Sequence, residues 1–310
     1  IIKFLINMLK NIIKNNLNYF LSKFSLEIVN IKKNGPFDFT HKNINPLSAQ
    51  YLYEHKQVII SIELSKGRTN RWFDLLETSL DPPIFAIRNA LNKNLEGKKL
   101  YSNILTSLEE NSSITIFDKA IDILDIDPNN SNDLKNYPWW TQVNPWDMDT
   151  FENKLKYYPL SVKRDRLKNG MKIKSIHPND IMEEDLKYSL PSHAKQYADL
   201  TEKIKYNGFK TGSVYGYINA EIFCVDNKYV WKPGGEGNHR LAVAAALGIK
   251  KIPVIVTKIV RLEDIEYWPN VERGLFTKDQ ATKVFYSVFN AKPPRIYDEW
   301  IKRKRLKSKV

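Results

Sequence analysis

Three glycines and a polar trio stand together where the chain reads Lys232-Pro233-Gly234-Gly235-Glu236-Gly237-Asn238-His239-Arg240. Glycine adopts left-handed backbone without strain and lets a ligand approach the main chain closely. The residues that follow, Ala242-Val243-Ala244-Ala245-Ala246-Leu247, favour a helix. Gly248 suits the left-handed position just past a helix end. The pattern therefore predicts a glycine turn feeding a helix N-terminus, where open N–H groups and the helix dipole attract anions. His239 and Arg240 fall in the first turn and add side-chain donors and charge. The chemistry this serves is the holding of a phosphate.

Mixed α/β patterning from Ile173 onward must position that turn. Met171–Ile176 reads as a short strand, followed by His177-Pro178-Asn179-Asp180-Ile181. Pro191-Ser192 precede a helix of about fifteen residues that carries Tyr197, Leu200, Ile204 and Tyr206 and stops at Asn207-Gly208. Ser213–Ile218 and Ala220–Val225 are β-like, and Asp226-Asn227 turns the chain into Tyr229-Val230-Trp231. A strand, Ile252–Val256, closes the segment.

Over residues 173–256 this order resembles the N-terminal domain of the ParB/sulfiredoxin superfamily. Ser175-Ile176-His177-Pro178-Asn179-Asp180-Ile181 is similar to the family's opening I-x-P-x-x-I, and Tyr197–Phe209 to its first long helix. Gly237-Asn238-His239-Arg240-Leu241-Ala242 is similar to its phosphate-binding box, and Gly248 to Val254 to its closing G-x-x-x-I-P-V. The resemblance covers about a quarter of the chain and implies a small mixed-sheet domain that binds a nucleotide through its phosphates. It makes Gly235, Glu236, Gly237, Asn238, His239 and Arg240 the candidate binding residues.

Two departures narrow the implied activity. Sulfiredoxins carry a catalytic cysteine immediately before the His-Arg pair; Asn238 occupies that place. Partition proteins carry further arginines in the box; Leu241 follows the single Arg240, and no clear helix-turn-helix follows Val256. The comparison with the family's serine kinases survives, with ATP or another NTP and Mg²⁺ as the implied cofactors. It places a catalytic acid after the opening strand, among Glu183, Glu184 and Asp185, with Glu183 and Glu184 the candidates. The chain is thereby read as a nucleotide phosphate-binding protein, with phosphotransferase or NTP hydrolase activity as its catalytic form.

The charge balance supplies the alternatives. Residues 1–34 carry six lysines and one acid, and residues 301–310 six basic groups and no acid, so the two ends supply all but two of the net +13. A non-catalytic DNA- or other nucleic-acid-binding protein is the second reading, through those basic ends. Residues 1–25 read as a basic amphipathic helix, with Leu5, Leu9, Ile12, Ile13, Leu17, Phe20, Leu21 and Phe24 on one face. That helix either lies on an anionic membrane surface, as in a membrane-peripheral assembly protein, or docks on its own domain or a partner. The chain begins with Ile, and Met8 is a candidate initiator. One cysteine, Cys224, rules out an intramolecular disulfide and suits a reducing, cytoplasmic setting, peripheral to the inner face of the membrane in the third reading. The five histidines show no metal-ligand spacing.

The fold class expected is α+β: a C-terminal ParB/sulfiredoxin-like mixed-sheet domain preceded by a mainly helical N-terminal region. The divisions are a helix over 1–25, a mainly helical domain over 26–130, an aromatic-rich linker over 131–172, the mixed-sheet domain over 173–260, and a helical extension with a basic tail over 261–310. Within 26–130, Pro46–Leu64 and Trp72–Leu76 have helical spacing, although the β-branched run Val58-Ile59-Ile60 also fits a strand. Lys66, Arg68 and Arg71 read as a solvated basic loop, with an anion site as the sharper reading. In the linker, Tyr137, Trp139, Trp140 and Trp146 either pack between domains or form a stacking platform.

Overall fold

The computed structural model describes residues 36–51, 57–114, 119–127, 136–168, 174–175, 177–211, 216–235 and 237–307. The expected helix over 1–25, the strand over Ser25–Lys33 and Met8 lie outside them, as does most of the strand expected over Met171–Ile176. The chain divides into Ile1–Phe37, described only at Pro36 and Phe37, and a second unit, Asp38–Val310.

The architecture is mixed α+β around one five-stranded sheet. Its strands are β1 (Phe37–Asp38), β2 (Val58–Glu63), β3 (Ile218–Val225), β4 (Lys228–Pro233) and β5 (Lys251–Arg261), in the spatial order β1-β2-β5-β3-β4. The β-branched run Val58-Ile59-Ile60 resolves as strand, antiparallel to β5 with Val58 opposite Val256 and Glu63 opposite Lys251. β3 and β4 form an antiparallel hairpin whose turn residues Asp226 and Asn227 both have positive φ. Such turns match the right-handed twist of the strands they join. β3 then pairs in parallel with β5, which requires a crossover. Helix α6 (Asn238–Ala246) lies within it, between β4 and β5.

The remaining helices are α1 (Pro82–Asn92), α2 (Gly97–Ile114), α3 (Ala120–Leu124), α4 (Phe151–Lys168), α5 (Pro178–Asn207), α7 (Pro269–Glu272), α8 (Lys278–Phe289) and α9 (Asp298–Lys307). Strand side chains alternate between faces, and the core follows that alternation. Ile222 and Trp231 pack with α1, α2, α5 and α6, whereas their neighbours Phe223 and Val230 pack with Trp146, Ile121, Leu124 and the α8 residues Val284 and Phe285. The sheet is thus covered on both faces.

Several expectations change. The boundary at residue 130 does not divide the fold, because β2 pairs with β5 and supplies Ile60 and Ile62 to the same core as α6. Trp72–Leu76 is a loop: Trp72 has φ +65°, and Arg68 bridges Asp74. The segment read as a linker contains the 18-residue helix α4 and buries Trp146. α5 begins at Pro178 and runs for 30 residues. Pro191 lies inside it, losing one backbone bond while packing of Ala194, Tyr197 and Ala198 holds the helix. The basic end is a docked helix through Lys307: Trp300 is fully buried and donates to the Leu80 carbonyl at 2.7 Å. Lys304 is buried too, bonded to Glu110 at 2.7 Å and lying over the Trp300 ring. Thr277 caps α8 with Gln280 in a reciprocal box. No described helix is long and apolar enough to cross a membrane.

Candidate functional site

The glycine turn begins where β4 ends. Gly234 donates to the Asn219 carbonyl at 2.9 Å, and a Cβ there would press on Glu221 and Thr257. Gly235 has φ +102° with open space around it. Gly237, the N-cap of α6, has φ +88° and leaves no room: a Cβ would stand 2.7 Å from Ile218 Cγ1 and 3.1 Å from Ile218 Cα. The close approach of the turn to β3 therefore demands glycine at 237. With no side chain at the cap, the first turn of α6 begins with Leu241 N–H bonding the Gly237 carbonyl at 2.9 Å. Glu236 lies outside the described residues.

The three residues after Gly237 go three ways. Asn238 donates to the Gly235 carbonyl at 2.8 Å, bracing the turn, and accepts from Asn70 at 3.0 Å. His239 faces α5, its ring 4.8 Å from that of Tyr197 and 5.0 Å from that of His193. Arg240 donates to the Gly216 carbonyl at 3.0 Å.

Two different environments flank this turn. On one side Gly234, Gly235 and Asn238 line a cavity of about 820 Å³. Its walls come from β3 and β4 through Glu221 and Lys232, from the loop at Asn70 and Trp72, and from residues 139–158, including Trp139 and Trp140. The pairing of β3 with β5 shifts register between Ala220 and Glu221, next to this cavity's Glu221 wall. Lys232 and Glu221 form a nearly buried pair there, Nζ 2.9 Å from Oε2. Glu221 Oε2 nevertheless makes no hydrogen bond in the protein: the contact has the distance of an ion pair without its bonding angle.

On the other side lie Arg71, His193 and His239. Arg71 stands 3.5 Å from the buried Asp81, and its side chain keeps 41% of its surface exposed. Burial, then the charge of Arg71, lowers the His239 pKa below its usual value. His193 is pushed down to about 4 by burial, reinforced by His239, Arg166 and Arg71 and opposed by Asp185. Burial lifts the Asp81 carboxyl, with Arg71 opposing. The imidazoles are therefore neutral near pH 7, beside the partly exposed Arg71 guanidinium that pairs with Asp81.

Of the sequence-derived candidates, Gly235 and Asn238 meet at the cavity, and His239 joins the Arg71 cluster. The backbone of Glu183 and Glu184 belongs to α5; their side chains lie outside the described residues. Asp185 is engaged with Arg166. The loop read as solvated is not: Arg68 donates to the Val288 and Phe289 carbonyls, and Arg71 to Asp81. Cys224 is buried beneath Arg261, and burial raises its thiol pKa, which keeps it protonated. Arg71 carries the anion-site alternative read for its basic cluster, but its link to residue 239 and the contributions of His193 and Tyr197 are not legible in the sequence, because nothing in their spacing connects them to that residue. Among the described residues no group of three or more His, Cys, Asp or Glu is placed to hold a metal ion. Comparisons of the chain with family models, curated proteins and solved structures find no match.

Proposed function

We propose that the chain binds the phosphates of a nucleoside triphosphate at the first turn of α6. The observation that carries this reading is the sterically required Gly237, which delivers an uncapped helix N-terminus beside the exposed edge of Arg71. A helix start of this kind favours anions through its N–H groups and dipole. His239 and Arg240 stand on the same turn and add donors and charge there, Arg240 also donating to the Gly216 carbonyl at 3.0 Å. The resemblance of residues 173–256 to the ParB/sulfiredoxin superfamily supports the same reading.

Mg²⁺ enters this proposal with the nucleotide, since such ions are held by one or two carboxylates and the phosphates themselves. The ion would neutralise phosphate charge. Phosphotransfer or NTP hydrolysis is the catalytic extension of the proposal, with Glu183 and Glu184 as its candidate acids through the family resemblance alone.

Thermal shift with ATP, ADP and CTP tests the binding reading. At least one nucleotide raises the melting temperature of the wild type, and Arg240→Ala reduces the rise. No rise with any of them removes the reading.

A further inference from the structure

The cavity on the tryptophan side is a poor host for phosphate. Its lining holds two cations, Lys154 and Lys232, and three acids, Asp147, Asp149 and Glu221. Both lysines already face carboxylates: Lys232 stands 2.9 Å from Glu221, and Lys154 stands 3.5 Å from Asp149. Asp147 accepts from the Asn144 main-chain and side-chain N–H groups at 2.9 Å, and lies 3.8 Å from Lys258. No lining cation is left without a counter-charge, so the cavity favours an uncharged group. The positive groups Arg71 and Arg240 instead belong to other flanks of the same turn and do not line it.

What the cavity does offer is aromatic surface edged by amides. Trp139 and Trp140 share one short 3₁₀ turn on its wall, with Tyr158 from α4 beyond them. Gln142 and Asn144 follow in the chain and also line it. Asn238 joins this wall to the glycine turn, with only the first residue of α6 between the cavity and His239.

We propose that this cavity is the nucleobase site and takes a purine. The base stacks on Trp139, Gln142 and Asn144 bond its polar edge, and the phosphates extend past Asn238 to the first turn of α6. A bicyclic base presents more ring area to an indole than a pyrimidine does, and the volume of about 820 Å³ accommodates a nucleoside. This inference rests on the phosphate reading above, but can fail without it.

Isothermal titration of the full chain with inorganic triphosphate, ATP and UTP separates the two. In the wild type, ATP binds about tenfold more tightly than triphosphate, the size of one base-on-aromatic stack, and more tightly than UTP. Trp139→Ala removes the advantage of ATP while leaving triphosphate affinity unchanged, and Trp139→Phe restores part of it. A melting curve confirms that each variant is folded. Equal binding of ATP and triphosphate overturns the base site while leaving the phosphate reading standing. So does a Trp139→Ala variant that weakens both equally, or UTP matching ATP. If neither triphosphate nor ATP binds, both proposals fall together.

Discussion

Asn70 and Asn238 are joined side chain to side chain, Nδ2 to Oδ1 at 3.0 Å, across 168 residues of sequence. This bond ties the loop after β2 to the first residue of α6. The same loop carries Arg71, whose charge acts on His239 one residue further along that helix. The loop and the glycine turn are thus held as one unit, which is what an anion site built from both requires.

Removing the tie separates position from stability. Both asparagines are partly exposed, so Asn70→Ala lowers ligand-free stability by no more than about 1 kcal/mol. Triphosphate affinity falls several-fold, because Arg71 is no longer fixed beside the turn. Urea melts and titration calorimetry read the two effects; affinity equal to wild type contradicts the role given to the bond.

Two glycines with positive φ provide a graded test of the turn. Gly237→Ala places a Cβ against the backbone and side chain of Ile218. The cost is about 2–4 kcal/mol, combining left-handed strain with the clash. Gly248 has φ +70° but nothing within 4 Å of a new Cβ, so Gly248→Ala costs only about 1 kcal/mol. Equal losses in denaturant melts would remove the argument for close approach at 237.

Acid stability reports the histidine pair. His193 titrates at about 4 in the fold against about 6.5 when unfolded. Its folded pKa is depressed, so the unfolded chain binds more protons in this window and stability falls as pH drops from 6.5 to 4. His239, lowered by burial and Arg71, acts in the same direction. The melting temperature therefore declines across that range, and His193→Gln flattens the decline by a few degrees. A variant with the wild-type slope would show that the pair is not held neutral.

The basic end has a structural role. Trp300 is fully buried and Lys304 is enclosed between Glu110 and two aromatic rings. Trp300→Ala costs about 3–5 kcal/mol. Deleting residues 298–310 lowers the melting temperature in the same way; an unchanged melt would return this segment to the status of a charged tail.

The local elements nearest the candidate site were the most legible. Asp226-Asn227 and the alanine run to Gly248 are specified by residues only a few positions apart, and the fold uses each as expected. The separate N-terminal domain failed because β2 has a buried, β-branched sequence whose partner, β5, lies about 190 positions away; nothing local reports that pairing. The start of α5 failed because Pro191 ordinarily stops a helix, and tertiary packing overrides it here. At the site, Gly235, Gly237 and Asn238 were visible from their types. Arg71 and Trp139 stood out only as one alternative each, an anion site and a stacking platform, and His193 did not stand out, since their roles depend on a turn that follows them by 40 to more than 160 residues.

Phosphate binding at the first turn of α6 is the proposal on which the base site also depends. Calorimetric titration of inorganic triphosphate into the full chain tests it without the aid of a base, comparing wild type with Arg71→Ala and Arg240→Ala. The wild type binds saturably and more weakly as salt is raised, and each variant binds at least tenfold more weakly while still folded. Absence of binding by the wild type, or equal affinity in all three proteins, contradicts it.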